Sequence, residues 1–364
     1  MTPGFDAANQ TTADVDATLR QDMDACFNAF DKDRDGYLDL NEFRVLCSAL
    51  FRNNKGQIYQ LEDYQLRDVF NIFDTKNDDK IDREEFTYLW NNWIKLIVRP
   101  ISAILVIDVQ NDFICGTLDI RNCPAKQNAL EVLQPINHLL DTIEFDAVFY
   151  SYDWHPSDHV SFIDNVHLRK FHESSPIPQD KAQLYDTVVF EGDPPVEQKL
   201  WPRHCVQNTW GSELHEDLKV LENSIKIYKG TNPEVDSYSA FWDNSKQTDT
   251  KLAAQLRLRG ITDVYVCGIA YDVCVGATAI DAISSGFRTI LLDDCCRGVD
   301  LLNIEKTKET VIKNHGVVVN SDRVKDMVEG NDRRPELGYK LALHLKDQME
   351  KQTKGEGAIK REKR

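Results

Sequence analysis

Apolar positions near the start of the chain recur with helical spacing: Met23, Phe27 and Phe30 fall at i, i+4 and i+7. After Pro100 the pattern changes. Short apolar runs at 103–108, 147–151, 225–229, 264–268 and 289–292 alternate with amphipathic stretches at about 128–142, 248–258, 276–285 and 304–314. Near-continuous apolar strands alternating with helical segments predict an α/β fold, a parallel sheet with helices on both faces. The change of pattern sets a boundary near 98–100. The expected organisation is a small all-α domain over 1–98, an α/β domain over 100–335 and a charged helix or tail over 336–364. Within the last, 351–364 holds six basic and two acidic residues and reads as a solvated end.

Composition narrows the classes. Among 364 residues, 41% are hydrophobic and 28% charged, which excludes wholesale disorder. The net charge of −17 disfavours a nucleic-acid partner, since phosphate backbones would be repelled. No apolar run is long enough to span a bilayer, and the polar, acidic start does not resemble a secretory signal, so no membrane partner is expected. The nine cysteines, an odd number that includes the adjacent Cys295 and Cys296, read as free thiols of a reducing compartment. A cytoplasmic location follows as an expectation; a homo-oligomer stays open.

The segment 31–42 matches a twelve-residue EF-hand calcium loop. Asp31, Asp33 and Asp35 supply carboxylates at positions 1, 3 and 5, Tyr37 a backbone carbonyl at position 7, and Glu42 a bidentate carboxylate at position 12. Gly36 stands at the sharp turn. A second copy at 74–85 begins 43 residues later, with Lys76 in place of an oxygen ligand and Asp79 in place of the glycine. A cation in the ligand shell predicts a weak or empty loop, kept because EF-hands pair.

Ligands of parallel sheets bind beyond the carboxyl ends of the strands. Three strand ends carry reactive groups: Asp108, Lys229 and Cys274. Each alone has an ordinary explanation. Asp108 suits a turn or a helix cap, Lys229 a snorkelling lysine, and Cys274 an inert buried thiol, as Cys267 reads. Together they supply a carboxylate base, a cation and a nucleophile. Burial of the first two would be costly unless they paired. A thiol at a helix start would have its pKa lowered toward thiolate, and backbone N–H groups of that turn could hold an oxyanion.

These residues stand in the segments DVQNDF, YKG and GIAYDVCV, and through them residues 101–320 resemble the isochorismatase-like cysteine hydrolase superfamily. The resemblance implies a three-layer α/β/α fold and an Asp108–Lys229–Cys274 triad. It also implies a cis peptide at Ile269–Ala270, with an oxyanion hole from the N–H groups of Ala270 and Cys274.

Asp153 and His155, two apart, lie on one side of an extended segment, and the distant His204 can complete a facial triad. One carboxylate and two imidazoles suit zinc, iron or manganese; His159 is a further candidate outside this set. The pattern DWHPSDHVSF with WPRHC resembles nicotinamidases, the metal-binding branch of the superfamily. That resemblance implies hydrolysis of nicotinamide to nicotinic acid and ammonia through a cysteine thioester, in NAD salvage. The ring nitrogen would lie toward the metal and the ring between Phe113 and Trp201. Calcium modulation through 31–42 is a further expectation. The alternatives are another amidase or isochorismatase of the superfamily, and a calcium-binding regulatory protein with an inactive hydrolase domain.

Overall fold

The computed structural model describes residues 22–362, with side chains up to residue 352. The chain divides into two compact units, one made of residues up to Ile101 together with Arg323 onward, the other of Ser102–Asp322.

The first unit is helical. Helices Met23–Phe30 and Leu40–Leu50 flank the loop 31–42; Asp63–Phe73 and Arg83–Leu89 flank the loop 74–85. Asp39 and Asp82 each close a capping box with the glutamate three residues on, which starts the second helix of each hand. The last of these helices runs on through a π-turn, Trp90–Ile94, to Lys95–Val98. The two loops pair through an antiparallel bridge, Leu38 to Ile81, with N···O distances of 2.9 and 3.0 Å. The apolar core includes Phe27, Phe43, Phe73, Phe86 and Trp93, and also Tyr339, Leu341, Ala342 and Leu345 of the helix Pro335–Glu362. The sequence boundaries therefore shift: residues 323–335 leave the expected α/β domain, and the expected tail packs into the helical unit. Its apolar positions are spaced at helical intervals among lysines and acids, so local composition conceals them.

The second unit is built on a six-stranded parallel sheet. Its strands are β1 (Ser102–Ile107), β2 (Ala147–Asp153), β5 (Ile225–Lys229), β6 (Asp263–Ile269), β7 (Arg288–Arg297) and β8 (Val317–Val319), in the order β5-β2-β1-β6-β7-β8. Every residue of β1, β2 and β6 is buried, so these strands are covered on both faces. β3 (Thr187–Phe190) and β4 (Val196–Lys199) form a separate antiparallel pair. The five expected strands are present. The edge strand β8 and the β3–β4 pair are additional, too short and mixed to show a pattern. β7 also runs past Leu292, where the expected strand stopped, through two aspartates. Asp293 meets Lys308 at 2.9 Å, and Asp294 accepts Ser321 Oγ at 2.6 Å. Partners remote in sequence make those charges tolerable in a strand.

The order reverses between β1 and β6, the place where a parallel sheet opens a crevice at its carboxyl edge. Gly268, at φ +120°, lets the two strands close there: a Cβ would lie 2.1 Å from Ile107 O. The turn carrying Cys274 thereby stands beside Asp108.

Candidate active site

Asp108 follows β1 in the left-handed region, at φ +48°. Its Oδ1 accepts Ser151 Oγ at 2.5 Å, and Ser151 Oγ accepts the Asp108 N–H at 3.2 Å. Lys229 ends β5 and is fully buried. Its Nζ lies 2.9 Å from Asp108 Oδ2, 2.5 Å from Asp153 Oδ1, 3.0 Å from Ser237 O and 3.4 Å from Cys274 Sγ. Cys274 sits in the π-turn Tyr271–Val275, after a cis Ile269–Ala270 bond and before the helix Gly276–Ser284. Asp108, Asp153 and Cys274 each bring one polar atom within 4.8 Å of the others.

The electrostatics follow from three charged groups sharing a dry site. Burial pushes the Asp108 carboxyl above the ordinary value, and the charge of Asp153 adds to this against the pull of Lys229. Burial also opposes charge on Asp153, but Lys229 and His155 outweigh it and hold that carboxyl well below the usual range. Lys229 itself is desolvated, yet the two aspartates keep it firmly protonated. Burial pushes the Cys274 thiol well above its ordinary value despite Lys229, with Asp108 and Asp153 adding to the rise. This corrects the expectation of a thiol lowered by a helix start. The turn is in place, but desolvation beside two carboxylates dominates and the shift runs upward.

Asp153 and the imidazoles of His155 and His204 form the second part of the site. Their nearest donor atoms lie within 4.8 Å of one another, and all three residues are buried. His155 Nδ1 donates to Gly230 O at 2.9 Å and His204 Nδ1 to Pro202 O at 2.7 Å, since a carbonyl can only accept. Each Nε2 then faces Asp153 Oδ2, at 3.3 and 3.6 Å. With each Nδ1 engaged by a backbone carbonyl, both Nε2 atoms and the Asp153 carboxylate converge on one point, a donor set that fits a metal ion. His159 stacks on His155 at 4.0 Å, and its buried Nε2 has no partner among the described residues. Burial, then the positive charge on His155, holds His159 well below the ordinary histidine value.

Beside Cys274 and Asp153 lies a cavity lined by Phe113, Trp201, His204, Ala270 and Cys274 among others. The sequence-predicted residues thus meet at one place. Sequence reasoning missed several others. Asp236 and Tyr238 also line the cavity, and Ser151 holds Asp108. Gln110 clasps the backbone of Asp153, donating to its O and accepting from its N, both at 2.8 Å. Asp112 accepts the N–H of Cys205 at 2.7 Å, and His155 N donates to Cys205 O at 3.0 Å, which seats the loop carrying His204. Gln110 and Asp112 stand in the same DVQNDF segment as Asp108, and that proximity was the available signal.

In the helical unit, oxygens of Asp31, Asp33 and Glu42 converge within 4.8 Å. Gly36 takes φ +86°, and the buried Asp31 Oδ1 has no hydrogen-bond partner among the described residues. These features fit a hard cation. Asp35 instead meets Lys80 of the paired loop at 2.7 Å. In the second loop Lys76 turns to Asp82 and, at 3.6 Å, Glu84.

An Asp, a Lys and a Cys at the reversal point of a parallel sheet agree with the comparison of families. The isochorismatase domain matches residues 102–322, and the chain belongs to that family. The EF-hand domain pair matches residues 20–90. Its relatives within the family include several nicotinamidases. That of Acinetobacter baylyi is 39% identical over 199 residues, 55% of this chain and 82% of the relative. That of Saccharomyces cerevisiae is 34% identical over 232 residues, 60% of this chain and 98% of the relative. Among solved structures, an Acinetobacter baumanii nicotinamidase matches with a TM-score of 0.52 at 36% identity, covering 62% of this chain and 98% of that one. The yeast nicotinamidase bound to the inhibitor nicotinaldehyde matches with a TM-score of 0.52 at 31% identity, covering 60% and 99%.

Proposed function

We propose that this protein is a nicotinamidase that hydrolyses nicotinamide to nicotinic acid and ammonia. The observation that carries the reading is the meeting of Asp108, Lys229 and Cys274 beside a cavity that also opens onto Asp153 and His204. Nicotinamidase relatives at 34–39% identity support the choice of amide.

Asp108 takes the proton of the Cys274 thiol; its raised basicity suits that role. Lys229 fixes the carboxylate and offsets charge as the thiolate forms. The sulfur attacks the carboxamide carbon, and the oxyanion lies toward the N–H groups of Ala270 and Cys274. Collapse breaks the C–N bond, with the Asp108 proton passing to the leaving nitrogen as ammonia. Asp108 then takes a proton from water as its oxygen attacks the thioester, and the thiol is released. Phe113 and Trp201 enclose the ring. Asp153, His155 and His204 would hold a transition-metal ion; when bound, it supplies a Lewis-acid anchor for a ring nitrogen. Zinc, iron and manganese all suit this donor set.

The test is ammonia release from nicotinamide. Cys274→Ala abolishes it, whereas Cys267→Ala, whose thiol lies 3.6 Å from Leu105 O inside β6, retains it. Activity surviving in Cys274→Ala would overturn the assignment.

A further inference from the structure

Within the first unit the helix Pro335–Glu362 packs chiefly along the second hand of the EF pair, and its Gly338 also meets Phe51, which follows the first hand. It packs against Asp63–Phe73, which enters the second loop, and against Trp90–Ile94, on the helix that leaves it. Trp93 Nε1 donates to Gly338 O at 2.8 Å and Tyr339 OH to Asp68 Oδ2 at 2.7 Å. Gly338 is needed for the approach, since a Cβ there would lie 2.4 Å from the Phe51 ring. Ala342 and Leu345, four and seven residues on, continue the stripe into the core. Lys346 and Met349 reach a groove shared with Asp74 and Thr75, the start of the second loop. This is an amphipathic helix seated on an EF-hand face.

From this we propose that the chain's own helix is the resident occupant of the second hand. It fixes the entering and leaving helices there, in a hand whose loop carries Lys76 where an oxygen ligand would stand. The first loop holds the oxygens that fit calcium, and the two loops share the Leu38–Ile81 bridge. Seating of the helix and calcium binding at 31–42 are then two ligands of one structural unit, and by linkage each strengthens the other. The consequence does not depend on the amidase reading, because neither readout involves turnover.

Two measurements on the whole protein decide it. Calcium titration should show weaker binding, by about five-fold or more, in Leu345→Asp and in Gly338→Val than in the parent. Hydrogen exchange on the parent should show amides 338–350 more protected with calcium than without, and Glu42→Gln should erase that difference. Calcium affinity unchanged in both helix variants, with far-UV circular dichroism retained, would overturn the coupling. So would exchange at 338–350 that ignores calcium in the parent; this second measurement decides the matter even if both variants unfold.

Discussion

One lysine stands between two buried carboxylates, and this sets the chemistry of the site. Lys229 lies within 2.9 Å of both Asp108 and Asp153, with no exposed side-chain surface. Removing the cation would leave buried negative charge uncompensated, which costs about 3–5 kcal/mol. Lys229→Met is therefore expected to lower stability by that amount in denaturant titration, and to lower kcat/KM for nicotinamide about 100-fold or more. A pH dependence follows with Asp108 as the proposed base. Its carboxyl is raised above the usual 3.8, first by burial and then by Asp153. A base works only when ionised, so kcat/KM falls as pH drops through that raised value, earlier than for an ordinary carboxylate. The hydrogen bond from Ser151 pulls the value down. Ser151→Ala should move the acidic limb to higher pH in a kcat/KM profile; a limb that stays or moves down would refute the base assignment. Sequence made Asp108 and Lys229 legible as charges too costly to bury alone. It could not supply Ser151, a common residue whose role depends on β2 lying next to β1.

At the scale of elements, the metal-ligand candidates depend on how a loop is moored. Asp153 and His155 leave β2 together, so their two-residue spacing was readable. His204 arrives on a distant segment, held by backbone pairing between His155 and Cys205 and by Asp112, which accepts from Cys205 N and from Thr117 N at 3.0 Å. Asp112→Ala frees that mooring without touching a ligand. Transition-metal affinity, read by competition with a chromogenic chelator, should fall by about 10–100-fold while the fold persists. The strands were legible where apolar runs were continuous. β7 was read short because Asp293 and Asp294 interrupt its apolar run, and a local pattern carries no notice of Lys308 and Ser321 waiting opposite.

At the scale of the whole molecule, two units carry two candidate ion-binding donor sets. The donors of 31–42 are hard oxygens; those of Asp153, His155 and His204 are mixed nitrogen and oxygen. A chelator selective for transition metals should therefore suppress turnover while leaving calcium binding intact. If calcium modulates the enzyme, turnover of the parent changes with calcium and that of Glu42→Gln does not. Equal response of the two proteins in a calcium titration of activity would confine the loop to a structural role. No described helix is long and apolar enough to cross a membrane.

The chain's local order was enough for a good deal: the calcium loop, whose ligands are contiguous, the parallel α/β sheet, whose strands are continuously apolar, and the strand ends where chemistry had to be sought. Tertiary structure decided what depends on groups far apart in sequence. It set the direction in which the Cys274 thiol shifts, because desolvation by neighbours outweighs the local turn. It placed His204 beside Asp153, and it drew residues 338–345 into the helical unit. Local pattern reports which surfaces want burial; only the folded chain determines what buries them, and the pKa values and ligand sets follow from that.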